Sequence, residues 1–186
     1  MWLLEIIGLC QAGLGRFRQA RESFQAGLER AEKAGETADE VAWLVFLAYV
    51  VSLEGDGAAL RAAMEQVQRR EVSLPLYVRT WTHNQAARLH LALGAVELAL
   101  ESLSQAMRAV EIEGEGYWVE QCYLTHAQIL RAQGHDAEAD GYLQRAYERV
   151  MLVASKTQDE ALRQSWLENV PDNREIVAEW EARHRP

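Results

Sequence analysis

Four glycines, Gly15, Gly55, Gly94 and Gly134, divide this chain at intervals of 40, 39 and 40 residues. Other positions return with them. Seven residues before each glycine stands a small residue: Gly8, Ala48, Ala87 and Ala127. Five after it come Ala20, Leu60, Ala99 and Ala139, and nine after it Phe24, Met64, Leu103 and Leu143. Twelve after it come Gly27, Val67, Ala106 and Ala146. A period of this length marks a stacked repeat architecture, in which each unit buries its apolar face only against its neighbours.

Each unit reads as two helices around a tight turn. Glycine has no Cβ and accepts the left-handed conformation that ends helices. The second helix of each unit carries apolar residues at helical spacing, as in Phe17, Ala20, Phe24 and Leu28. Small residues have a packing role, because two helices approach closely only where side chains are short.

The pattern resembles the tetratricopeptide repeat, in which a small residue in the first helix is followed by Ala and an aromatic in the second. Gly8, Gly15, Phe17, Ala20, Phe24 and Gly27 carry the likeness in the first unit. Ala127, Gly134, Ala139, Leu143 and Ala146 carry it in the fourth. The period exceeds the usual ~34 residues, as in the longer repeats of large bacterial signalling proteins. The resemblance implies an all-α fold, a right-handed superhelix of four hairpins at about 1–36, 37–76, 77–115 and 116–156. A C-terminal capping helix pair at 157–186 completes it.

The expected helices run over 1–14, 17–33, 38–53, 57–69, 77–93, 96–112, 117–133 and 136–154. Two more follow, one ending at Asn169 and one at about His184. Thr37 with Glu40, Thr157 with Glu160, and Asp172 with Glu175 read as N-terminal capping pairs, and Asp56 as a single cap. Irregular joints are expected at 70–76, around Pro75, and at 113–117, around Gly114 and Gly116. Residues Ser165 to Ile176 depart from the repeat and resemble the ends of multidomain bacterial regulators, where such an array follows a signalling ATPase, cyclase or DNA-binding domain. Physically the tail is a cap, with Trp166, Leu167, Val170, Ile176, Val177 and Trp180 covering the last repeat. At the opposite end Trp2, Leu3, Leu4, Ile6 and Ile7 begin a repeat without such a cover. Either these residues follow further repeats of a longer protein, or they pair with a second copy.

A net charge of −9 argues against nucleic acid or a membrane surface as the direct ligand. No apolar run approaches the ~18 residues of a spanning helix. Two cysteines far apart, Cys10 and Cys122, fit a reducing cytoplasm better than a disulfide framework. No phosphate loop and no His-Glu-x-x-His pair is present. His83, His90 and His126 share nearby helical faces, but no Cys or acidic residue stands at ligand spacing beside them. Glu111, Glu113 and Glu115 read as solvated surface. No enzyme activity, metal or cofactor is expected.

The resemblance implies that the first helix of each unit lines a concave surface. On that surface Tyr49, Trp81, Asn84, Arg88, Gln121, Thr125, Gln128 and Arg131 would form a groove for a protein or peptide. Amide side chains bond extended backbone, and the arginine fork grips carboxylates; alternatively the two arginines pair with neighbouring glutamates. Replacing both by alanine is then expected to leave stability nearly unchanged. The expected function is a non-enzymatic interaction module, the C-terminal part of a larger bacterial regulator. The alternative is a sensor that takes a small molecule or short peptide into a closed pocket around Tyr49, Trp81 and Trp118.

Overall fold

A computed structural model describes residues 2–69, 76–113 and 118–184. The joints expected at 70–75 and 114–117 lie outside the described residues. The described residues are mostly helical, and among them there is no strand. Its helices are α1 (Trp2–Gly13), α2 (Phe17–Ala34), α3 (Thr37–Leu53), α4 (Gly57–Gln68), α5 (Leu76–Ala92), α6 (Val96–Glu113), α7 (Val119–Ala132), α8 (Asp136–Lys156), α9 (Glu160–Glu168) and α10 (Pro171–His184).

The periodic glycines are helix terminators. Gly15, Gly55, Gly94 and Gly134 have φ of 70°, 75°, 73° and 82°. Any Cβ there would be strained, and each bends the chain so that consecutive helices pack as hairpins: α1 with α2, α3 with α4, α5 with α6, α7 with α8. The odd-numbered helices also pack on each other, α3 against α5 and α5 against α7.

The repeat positions form the interior. Ala20, Ala48, Ala87, Ala99, Ala106, Ala127, Ala139 and Ala146 are fully buried, and so are Phe24 and Leu143. The small residues are used as spacers. A Cβ on Gly8 would lie 2.2 Å from the Phe24 ring, and one on Gly27 would lie 2.5 Å from the Trp43 ring. Phe24 stacks on Phe46 at 4.9 Å between ring centres, and Phe46 stacks on Trp81 at 4.2 Å. An aromatic column thus ties α2, α3 and α5 together.

Three capping expectations are corrected. Asp56 does cap α4, accepting from the amides of Ala58 and Ala59. At α3, however, Glu36 holds the cap position without a side-chain bond, and Thr37 is already helical. At α9 the cap is Asp159, which accepts from the Leu162 amide. The Thr157 hydroxyl instead donates back to the Val153 carbonyl. At the last helix Pro171 is the first residue, a position that needs no amide proton, and Asp172 is already helical. The Asp172 carboxylate is used elsewhere.

Candidate interaction surface

α10 lies across α7 and α8, and its two stripes do different things. The apolar stripe seals the end of the stack. Ile176 is fully buried, and Val177 and Trp180 pack with it against Leu124, Leu143 and Val150. Trp180 stacks on Tyr147 with ring centres 5.1 Å apart. Asn173 is buried and donates to the Trp166 carbonyl at 3.0 Å, while Trp166 Nε1 donates to the Val150 carbonyl at 3.2 Å. Trp166 and Leu167 join the same cluster. Five of the six residues read from the sequence as cover therefore provide it. Val170 stands outside the cluster, at the turn into α10.

The second stripe is acidic. Asp172, Glu175 and Glu179 are spaced three and four residues apart, which puts them on one helical face. Opposite them stands a row of donors from two repeats. Arg88 on α5 donates to Asp172 at 2.6 Å and lies 3.5 Å from Glu175. Gln128 on α7 donates to the other Glu175 oxygen at 2.8 Å. Arg131, in the last turn of α7, donates to Glu179. A second nitrogen of Arg131 reaches Asp140 on α8 at 3.3 Å, and Asp140 also pairs with Arg183 of α10 at 3.0 Å. Charges alternate along this chain of contacts, from Glu179 through Arg131 and Asp140 to Arg183.

These pairs are sheltered. The Arg131 side chain is 15% exposed, Arg88 27% and Asp172 18%, so water screens them only partly. Burial works against the Arg88 charge, yet the neighbouring Asp172, followed by Glu175, outweighs it and holds the guanidinium above its usual pKa. Tyr49 on α3 borders the same site. Burial, then the Asp172 charge, raises its phenol pKa, with Arg88 opposing. Neutralising either arginine would leave carboxylates in a partly desolvated place. A double alanine variant should therefore lose stability, which corrects the expectation of a nearly neutral change.

The expected groove residues divide into two groups. Arg88, Gln128 and Arg131 form the donor row, with Tyr49 at its edge. Trp81, Asn84, Gln121 and Thr125 do not join it. Trp81 belongs to the aromatic column. Asn84 is fully buried, and neither its oxygen nor its nitrogen has a hydrogen-bond partner among the described residues. Thr125 is fully buried and bonds the Gln121 carbonyl at 2.9 Å. Gln121 is 4% exposed, with its side-chain oxygen unpartnered among the described residues. Trp118 is not part of the cluster against which Tyr49 and Trp81 pack. It is 40% exposed at the start of α7, with φ of 73°.

The sequence reading missed the other half of the surface, namely Asp140, Asp172, Glu175, Glu179 and Arg183. The signal was present as an acidic stripe on the last helix, but pairing it with Arg88 requires knowing that α10 folds back across two repeats.

Histidine chemistry is muted. Burial, then the nearby Arg79 charge, pushes the His83 pKa down to about 4. Burial also lowers His90 and His126, and His126 stacks on Tyr142 at 3.8 Å. Among the described residues no group of three His, Cys, Asp or Glu side chains is placed to hold a metal ion. No helix among them is long and apolar enough to cross a membrane. Cys122 is buried, which pushes its thiol up to about 12, so it is a poor nucleophile. No family model matches the chain, and no curated protein matches it at a significant level.

Proposed function

We propose that this chain is a non-enzymatic interaction module of the tetratricopeptide-repeat kind, which binds a protein or peptide through carboxylates received at Arg88, Gln128 and Arg131. The observation that carries this reading is that the row already holds three carboxylates presented by one helix. Charge-assisted bonds from arginine are strong and directional, so a surface that seats Asp172, Glu175 and Glu179 offers the donors that an acidic helix of the same spacing needs. The repeat pattern supports a binding scaffold, since stacked helical hairpins present extended surfaces for partners. The likeness of residues 165–176 to the ends of bacterial regulators supports a place in such a cytoplasmic protein.

The test is fluorescence anisotropy of the full chain against labelled helical peptides that are acidic, neutral or basic. Acidic peptides should bind best, and their affinity should fall with added salt and in Arg88→Gln/Arg131→Gln. A preference for neutral or basic peptides, untouched by those substitutions, rejects the proposal.

A further inference from the structure

We propose that the partner is an acidic amphipathic helix, that it docks on the seat formed by α5, α7 and α8, and that α10 is the resident occupant it displaces. This inference rests on reading the Arg88–Gln128–Arg131 row as a carboxylate receptor. It adds the identity of the partner and the state of the site when no partner is bound.

α10 is seated as a ligand helix would be. Counting from Asp172 as position i, its acids fall at i, i+3 and i+7. The apolar residues Ile176, Val177 and Trp180 fall at i+4, i+5 and i+8. The first set meets the donor row, and the second meets Leu124, Leu143 and Val150. A competing helix must carry both stripes in this register, because acids alone would leave the apolar seat wet and apolar residues alone would take from Arg88 the carboxylates of Asp172 and Glu175 and leave Arg131 with Asp140 in place of the Glu179 pair. In a chain of net charge −9, an acidic helix meets repulsion over much of the remaining surface. The donor row is what selects it.

The resident is also lightly held. None of the residues of α9, all of them described, is fully buried, and α10 fully buries only Asn173 and Ile176. By contrast α8 buries Ala139, Leu143, Ala146, Val150 and Ala154. Between α8 and α9 the chain is extended at Thr157 and Asp159, so the last two helices are joined to the stack by a short non-helical link. Elements with little buried surface open at lower free energy than the core. Part of what holds α10 is ionic, and a competitor of the same charge pattern replaces those contacts as it breaks them. While α10 is seated, the apparent affinity of any partner is reduced by the fraction of chains in the open state.

The probe is a labelled synthetic peptide of residues 170–184, added to the full chain. Anisotropy compares the unaltered chain with a full-length variant carrying Asp172→Asn, Glu175→Gln and Glu179→Gln. The variant should bind the peptide at least about tenfold tighter, because its own α10 no longer competes for the arginines. Adding Arg131→Gln should abolish that gain, and a peptide with the same three acids neutralised should not bind. Equal binding to both chains, lost with Arg131→Gln, overturns the displacement but leaves the carboxylate row standing. Binding to neither chain overturns both. A second measurement needs no variant. In the ¹⁵N-labelled unaltered chain, excess unlabelled peptide should shift the amide signals of residues 172–184 and speed their solvent exchange, while those of α7 stay protected. Unmoved α10 signals at excess peptide refute the proposal even where the variant misfolds. If sedimentation instead finds a dimer of the unaltered chain that Arg131→Gln dissolves, the occupant is a second copy and the partner assignment falls.

Discussion

Gly27→Ala and Gly141→Ala are the same chemical change in two helix interiors, and the structure assigns them opposite effects. Alanine is favoured over glycine inside a helix by about 0.8–1 kcal/mol, so both variants gain this backbone term. Around Gly141 on α8 nothing lies within 4 Å of an added Cβ, and the gain stands alone. At Gly27 the added carbon would lie 2.5–2.6 Å from three atoms of the Trp43 ring. Ordinary carbon contacts are about 3.5–4.0 Å, so the ring must retreat by roughly 1 Å. It has little room, being 2% exposed and flanked by Phe24 and Phe46 at centroid distances of 6.2 and 5.6 Å. Overpacking of this kind costs about 1–3 kcal/mol. Because the backbone term cancels between the two variants, that cost is the expected gap between them. For a chain of this size each kcal/mol moves the melting temperature by about 2–4 °C. Thermal and urea denaturation followed by circular dichroism measure the gap directly. If Gly27→Ala melts with or above Gly141→Ala, then the close approach of α2 to Trp43 is wrong, and the small-residue seam with it. Gly8→Ala, whose Cβ would lie 2.2 Å from Phe24, should fall on the same side as Gly27→Ala.

Asn84→Leu should stabilise the chain by about 1–2 kcal/mol, since it removes a buried amide that has no partner among the described residues; a fall in the urea midpoint contradicts this. Arg131→Gln should cost about 1–3 kcal/mol at low salt and less at high salt, with faster amide exchange confined to α10; a loss independent of salt argues against the ionic seat. His83 gives a pH dependence. Its folded pKa of about 4 lies below the unfolded 6.5, so the unfolded chain takes up the proton first. Stability is full above about pH 6.5 and falls by up to about 3 kcal/mol as pH drops towards 4. His83→Gln should flatten that slope in pH-dependent denaturation, and an unchanged slope removes His83 as its source.

How much of this was legible in the sequence depends on the range of the interaction. Helix ends were readable because each is set by a local event, a left-handed glycine such as Gly94 or a cap such as Asp56. The interior was readable because repetition averages out local noise, so that Ala99 and Ala139 mark one another. Capping at α3 and α9 was misread because several acceptors stand within a few residues, and small backbone differences choose between Thr157 and Asp159. The groove was half readable for a different reason. Periodicity places Asn84 on a lining face, yet the matching positions in the neighbouring repeats are Val45 and Leu124, and all three are fully buried. A strict reading of the repeat would have put Asn84 in the core, and only its polar chemistry suggested otherwise.

The ionic seat was the least readable part, because it belongs to no repeat. Asp172 lies 84 residues from Arg88, and Glu179 lies 48 from Arg131. Nothing periodic links them, since α10 occurs once while the donors come from α5 and α7. What the sequence does hold is complementarity of composition: Arg88 and Arg131 on first helices of an acidic chain, and one late helix with acids at i, i+3 and i+7. Either alone is an ordinary solvated surface. Together, on a stack whose end must be covered, they require the covering helix to lie with one particular face down. Rotating α10 about its axis to present the other face would expose Ile176 and Trp180, would take Asp172 and Glu175 away from the sheltered Arg88, and would leave Arg131 only its Asp140 pair on α8. The apolar stripe and the acidic stripe therefore fix the same orientation of α10. Under the displacement proposed above, a partner helix would have to match both of them to take its place.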